Sequence, residues 1–307
     1  MNRNIAYAAA WAVVLSMGLT ATSSKAQVIM PDTPPPSPDA LADRKVALIT
    51  GSTGGLGRAV ALALGERGWH VIVHGRDVER GRSVAAEIDS GPGTATFYAA
   101  DLASVDAVRR LGEAIVRDFE RLDVLANNAG IWLSGDNQRR TSEDGYELSF
   151  QVNYLSGFQL THALLPLLRR SAPSRIVNVS SAAQTPIDFG NVMLEHGYSG
   201  SRAYGQSKLA QILFTFDLAE TLEGTDVSVN ALHPATLMDT DMVREAGVTP
   251  RATVEEGRDA LLPLILEDGL GTGRYFLGQQ PEGADAQAYD VDARVRLREL
   301  SRALIGS

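Results

Sequence analysis

Apolar and polar residues follow two rhythms along this chain, and the rhythms trade places at short intervals. Lys45–Thr50 is a short, almost wholly apolar run that ends at a glycine turn, as expected of a strand buried on both faces. The period then changes: Leu56, Ala59, Val60, Ala63 and Leu64 share one helical face within Leu56–Arg67, and Gly68 follows as a stop. The exchange repeats along the chain. Strands are expected at Trp69–His74, Thr94–Ala99, Val124–Ala126, Arg175–Val179 and Val227–Leu232, with a short one at Tyr275–Phe276. Helices are expected at Val78–Ile88, Ser104–Phe119, Ser142–Arg170, Tyr204–Leu222 and near Val254–Leu266. Such alternation predicts one α/β domain, a doubly wound parallel sheet with helices on both faces. Ligands of such sheets bind beyond the carboxyl ends of the strands.

The first 43 residues do not share this rhythm. Arg3 precedes an uncharged, Ala-rich apolar run from Ile5 to Leu19, and Ser24-Lys25-Ala26 offers small residues where a signal peptidase reads. Residues 1–26 are therefore expected to be a signal peptide for export to the periplasm or beyond, by the Sec route since no twin arginine is present. Two alternatives stay open: an uncleaved segment that anchors the protein to a membrane, and a cytoplasmic protein begun at Met30. Residues 27–43 hold five prolines between Pro31 and Pro38 and are expected to be an extended linker. Folding is expected to start near Arg44, giving a domain over 44–307.

Composition narrows the chemistry. A net charge of −9 lacks the positive field that nucleic-acid binding requires. The absence of cysteine removes disulfides, thiol nucleophiles and cysteine-held metal centres. His70, His74, His162, His196 and His233 lack metal-ligand spacing, so no metal site is expected.

The turn Thr50-Gly51-Ser52-Thr53-Gly54-Gly55-Leu56-Gly57 joins the first strand to the first helix. Glycines there permit a tight turn and close approach of a pyrophosphate to a helix N-terminus. Gly51, Ser52, Gly55, Leu56 and Gly57 are thus candidate contacts to a dinucleotide. The spacing is not that of a P-loop. At the end of the second strand an acidic residue would accept from a ribose 2′-hydroxyl, but this chain has Gly75 followed by Arg76. A guanidinium pairs with a 2′-phosphate, which favours NADP(H) over NAD(H). Asp101 and Leu102 are expected near the adenine, and Asn128, Ala129 and Gly130 around the cofactor loop.

Together with Asn127-Asn-Ala-Gly130, Asn153, Ile176-Val-Asn-Val-Ser-Ser181 and Tyr204-x-x-x-Lys208, this turn resembles the short-chain dehydrogenase/reductase family, a Rossmann-like fold. Arg76-Asp77, Val152–Phe158 and Tyr204-Gly-Gln-Ser-Lys208 are similar to its retinol-dehydrogenase-like group. The resemblance implies hydride transfer between NADP(H) and an alcohol or carbonyl carbon, with Tyr204 as acid/base. Lys208, four residues on, shares a helix face with it, and its charge should lower the phenol from its usual pKa of about 10. Ser181 would bind the substrate oxygen, and Asn153 would fix a water leading from Lys208 to solvent. Tyr204 and Lys208 would also hold the nicotinamide ribose. The family's Pro-Gly after the sixth strand is Pro234-Ala235 here, so only Pro234 and Thr236 carry over as cofactor contacts.

Two apolar stretches, Gln184–Arg202 and Leu237–Val248, are expected to shape a lid-like pocket for a lipophilic alcohol, aldehyde or ketone. Covering the core is the other use for such residues. A nucleotide-sensing protein on the same fold is the competing reading, and it needs none of the Asn153, Ser181, Tyr204 and Lys208 set. A double-bond reductase similar to this group would employ a cysteine, which is missing.

Overall fold

The computed structural model describes residues 28, 31, 35–133 and 138–306. The expected signal peptide lies outside the described residues, as do residues 29–30 and 32–34 of the proline tract. Among the described residues, eight strands form one sheet: β1 (Val46–Ile49), β2 (His70–Gly75), β3 (Thr94–Ala99), β4 (Val124–Asn127), β5 (Ser174–Val179), β6 (Val227–His233), β7 (Arg274–Leu277) and β8 (Gln280–Glu282). Their order is β3-β2-β1-β4-β5-β6-β7-β8. All neighbours are parallel except β7 and β8, which form an antiparallel hairpin at the edge that the apolar pattern does not announce. This is the doubly wound α/β architecture that the alternation predicts.

Along β1 every residue is buried, and successive side chains serve opposite faces. Val46 and Leu48 join one core cluster, while Ala47 and Ile49 join the other. Each fully buried aliphatic side chain contributes about 1.5–3 kcal/mol, so the two layers lock β1 from both sides. The helices are α1 (Pro38–Leu41), α2 (Gly55–Gly65), α3 (Val78–Asp89), α4 (Val105–Asp118), α5 (Ser156–Arg170), α6 (Gly200–Thr221), α7 (Asp241–Glu245), α8 (Val254–Leu266) and α9 (Val291–Ile305). The caps are local: Asp77, Ser104, Ser199, Thr253 and Asp290 accept backbone N–H groups at the starts of α3, α4, α6, α8 and α9.

Three boundaries differ from the sequence expectation. Pro38 sits at the first position of α1, where its missing N–H costs nothing, and Leu41 is buried against the core. Packed structure therefore begins before Arg44, and residues 38–41 are not extended linker. Helix α6 starts at Gly200 rather than Tyr204, because the Ser199 hydroxyl caps it by accepting from Arg202 N. The long helix expected from Ser142 starts later, at Leu148, because residues 142–147 form a turn closed by the Thr141–Glu147 bridge. A π-helical segment spans Phe150–Leu155, and the buried Glu147 carboxylate accepts the N–H groups of Ser149 (3.0 Å) and Phe150 (2.7 Å) just before it.

Leu41 offers a direct check. Leu41→Ala should lower unfolding free energy by roughly 2–3 kcal/mol in urea titration, the cost of emptying a buried leucine site. An unchanged midpoint would mean that α1 is not part of the folding unit.

Candidate active site

The strand order reverses beside β1, between β2 and β4, and a cleft of about 820 Å³ opens at the carboxyl ends of the strands there. The glycine turn forms its floor. Gly51 and Gly55 have φ of +66° and +51°, the left-handed region that favours glycine. A Cβ on Gly51 would sit 2.9 Å from the Ala129 Cα, and one on Gly57 would strike the Gly51 carbonyl oxygen and lie 2.5 Å from Asn128 Nδ2. Gly54, at the N-cap of α2, brings no side-chain acceptor, so the first-turn N–H groups are left for an anion.

Thr50, which opens the motif but is not among its expected ligand contacts, ties this turn to the loop after β4. Its Oγ1 accepts from the N–H groups of Asn128 (2.9 Å) and Ala129 (3.0 Å) and donates to Ala126 O at 3.2 Å. Asn128 returns the contact, with Nδ2 donating to Thr50 O at 2.8 Å. Asn128, Ala129 and Gly130 line the cleft. Ser52 does not line it: it is fully buried, with Oγ donating to Ile49 O (2.8 Å) and accepting from His74 N (3.0 Å), while its own N–H bonds His74 O. Both of its polar groups are committed to the β1–β2 junction, which corrects its expected place among the ligand contacts. Thr53 takes that place on the cleft wall.

At the far end Arg76, Asp101 and Leu102 line the cleft as expected. The Arg76 side chain is 70% exposed and 4.0 Å from Asp101 Oδ1. A side chain at position 75 would collide with Thr53, which explains the bare glycine. Arg80 is a further basic group here, bonded to Asp241 of α7 at 3.0 Å. His74 stays neutral, since burial pushes it down to about 4.

At the other end four expected residues converge. Tyr204 and Ser181 both line the cleft, the Ser181 hydroxyl placed to favour the phenolate, while Ser180 turns inward and donates to Lys208 O at 2.7 Å. Lys208 Nζ lies 5.6 Å from the centre of the Tyr204 ring. It donates to Val179 O (2.8 Å) and to Gln211 Oε1 (3.0 Å). Burial pushes the Tyr204 phenol up and the Ser181 hydroxyl pulls it back, with a net upward shift. This reverses the fall expected from Lys208 alone, because desolvation of the phenolate outweighs it. The same burial pushes Lys208 down to about 7. Asn153 lies in the π-helical segment. Its side chain accepts from Ile131 N (2.7 Å) and donates to Ile131 O (3.1 Å) and Ser207 Oγ (2.9 Å). The amide thus clamps the loop after β4 onto α6. Pro234 and Thr236 line the cleft, with His233 Nε2 and Thr236 Oγ1 2.9 Å apart.

The two apolar stretches part company. Ile187 and Val192 are buried in the core cluster and Leu194 is fully buried, and none of the three lines the cleft. Their segment is fastened rather than lid-like: Gln287 Oε1 accepts from Ile187 N (2.6 Å), Gln287 Nε2 donates to Ile187 O (3.0 Å), and Gln206 Nε2 donates to Val192 O (2.7 Å). Leu237, Met238, Met242 and Val243 do line the cleft. Trp132 joins them, its ring 6.0 Å from that of Tyr204.

The short chain dehydrogenase family model matches residues 45–250. The chain belongs to the short-chain dehydrogenase family. Among its relatives, mouse (Mus musculus) retinol dehydrogenase 13 is 34% identical over 286 residues, covering 85% of this chain and 84% of that protein. An uncharacterised protein from Mycobacterium paratuberculosis superposes with a TM-score of 0.72 at 30% identity, over 90% of this chain and 96% of that one. A short chain dehydrogenase from Burkholderia cenocepacia in complex with NADP does so with a TM-score of 0.63 at 28% identity, over 76% and 95%. This short-chain dehydrogenase is thus a hydride-transfer oxidoreductase of the retinol-dehydrogenase-like group, acting on alcohols or carbonyls with a nicotinamide cofactor.

Thr50→Val keeps the shape of the turn but strands two buried N–H donors. Nicotinamide nucleotide should bind about tenfold more weakly in calorimetric titration, the equivalent of one lost buried hydrogen bond. Wild-type affinity in this variant would show that the Thr50 bonds do not shape the cleft.

Proposed function

We propose that this short-chain dehydrogenase reduces the carbonyl of a lipophilic small molecule with NADPH, and that Tyr204 supplies the proton. The observation that carries this reading is the convergence of Ser181, Tyr204 and Lys208 on one end of the cleft, with Lys208 Nζ 5.6 Å from the centre of the Tyr204 ring. A nucleotide sensor has no use for a hydroxyl pair aimed at a substrate oxygen.

The cleft suits a dinucleotide, since side chains on Gly51, Gly57 and Gly75 would fill or distort the cradle. Gly51, Gly55, Leu56, Gly57, Asn128, Ala129 and Gly130 would hold its pyrophosphate and nicotinamide halves, and Lys208 its ribose. Bound there, NADP(H) supplies or takes up the hydride. Arg76 supports the phosphorylated form: its pairing with Asp101 is exposed, and such pairs contribute about 0–1 kcal/mol, so the guanidinium turns readily to a 2′-phosphate. The Burkholderia relative is an NADP complex.

At the substrate end Tyr204 stays a phenol at neutral pH because burial raises it, so it is set to donate. Its Oη protonates the carbonyl oxygen as charge develops there, and Ser181 donates a second hydrogen bond to the same oxygen. The Lys208 charge then stabilises the phenolate left behind. Trp132, Leu133, Leu148, Met238, Met242 and Val243 make the surrounding wall apolar. That lining suits a lipophilic substrate, in keeping with relatives named retinol dehydrogenases.

Two substitutions test the reading. With a panel of lipophilic aldehydes and ketones and NADPH oxidation followed by absorbance, Tyr204→Phe should cut turnover roughly 10²- to 10⁴-fold while NADPH still binds; unimpaired turnover would remove Tyr204 from the chemistry. Arg76→Ala should weaken NADPH roughly tenfold to a hundredfold and leave NADH nearly unchanged. Equal losses for both nucleotides would overturn the cofactor preference.

A further inference from the structure

Among the described residues no carboxylate pairs with Lys208, whose hydrogen bonds go to a carbonyl and an amide. Its Nζ is enclosed by the loop after β4, where a Cβ on Gly130 would come within 3.4 Å, and the residue is only 4% exposed. The titratable groups facing it are Tyr204 on its own helix and His233 at the end of β6. Among the described residues β5 offers it the Val179 carbonyl, and the Asn153 amide of the π-helical segment lies beside it at Gly130. Two of the three ammonium donors are taken by Val179 O and Gln211 Oε1. The first acceptor is sheet backbone, present whatever the sequence. The second is a side chain that this sequence supplies three residues along α6, where it faces the same way.

Gln211 is 3% exposed and built in. Its backbone carbonyl accepts from Thr215 Oγ1 at 2.7 Å, Thr215 Oγ1 accepts from Asn178 Nδ2 at 2.8 Å, and Asn178 Oδ1 accepts from Asn127 Nδ2 at 2.9 Å. This chain of bonds crosses from α6 through β5 to the end of β4.

We propose that Gln211 is a positioning residue for the reaction, its amide oxygen holding the Lys208 ammonium under the Tyr204 ring and favouring its charged form. The proposal rests on the reading of Tyr204 and Lys208 above. The bond does no chemistry itself. It matters because burial has already brought the Lys208 pKa down to about 7, where a small change in the surroundings decides how much of the lysine is charged.

The chain contains three lysines, Lys25, Lys45 and Lys208. Lysine labelled with ¹³C at Cε therefore gives a spectrum simple enough to titrate, with Lys208→Arg identifying the signal. This readout needs no turnover, so it tests the inference even if Tyr204 fails as proton donor. In Gln211→Met, of similar length but without an acceptor, the Lys208 titration should move down by roughly one pH unit, and in Gln211→Glu up by roughly one. The alkaline limb of kcat/KM for carbonyl reduction should move in the same two directions, while KM for NADPH changes little. Thermal melts check folding, and if the glutamate variant does not fold, Gln211→Asn, too short to reach, should follow the methionine variant. An unmoved Lys208 titration in the methionine variant, or a shift of the same sign in the methionine and glutamate variants, would overturn the assignment.

Discussion

A parallel sheet whose strand order reverses has one place where the connections leave in opposite directions and no helix covers the strand ends. Here that place is the gap beside β1. Its two rims, the glycine turn and the loop after β4, come from segments some 78 positions apart and must be held in register without filling the space between them. Thr50 does this with one hydroxyl that serves two N–H donors and one carbonyl. The glycines keep the rims bare. Everything on the cofactor side is positioned relative to that clasp.

The catalytic end answers a different demand. Its groups are buried deeply enough that desolvation dominates: it raises Tyr204 and lowers Lys208 and His233. By their ordinary values Tyr204 and Lys208 lose their protons within about half a pH unit of each other, and burial drives them apart, the phenol up and the ammonium down. Hydrogen bonds oppose it at both members. Ser181 favours the phenolate, while Val179 and Gln211 hold the ammonium. Asn153 acts one step further out, keeping the loop after β4 seated on α6.

The strands were legible because burial on both faces leaves an uninterrupted apolar run, and motif spacing located Ser181, Tyr204 and Lys208. What escaped depends on partners distant in sequence. Every residue of a glycine-rich turn has the same local credentials as a ligand contact, and only the position of His74 makes Ser52 a structural bond. The late start of the long helix turns on where Glu147 folds back against Thr141, and nothing in periodicity encodes that. The early start of α6 did have a local signal in Ser199, masked by a first turn with little apolar content. The apolar stretch around Ile187 had two physical uses of equal local plausibility, and the bidentate grip of Gln287, 100 positions away, selects the core.

That grip belongs to a wider pattern. Asp285 N donates to Gln184 Oε1, Tyr146 Oη to Leu304 O, and Tyr154 Oη pairs with Ser301 Oγ. The segments behind the substrate end are thus braced by residues 285–304, whereas the dinucleotide cradle is tied together by Thr50 and Asn128, far from them in sequence. Loosening α9 would therefore free the substrate end while the clasp across the nucleotide cleft stays closed, so the two halves of the site can lose their order separately.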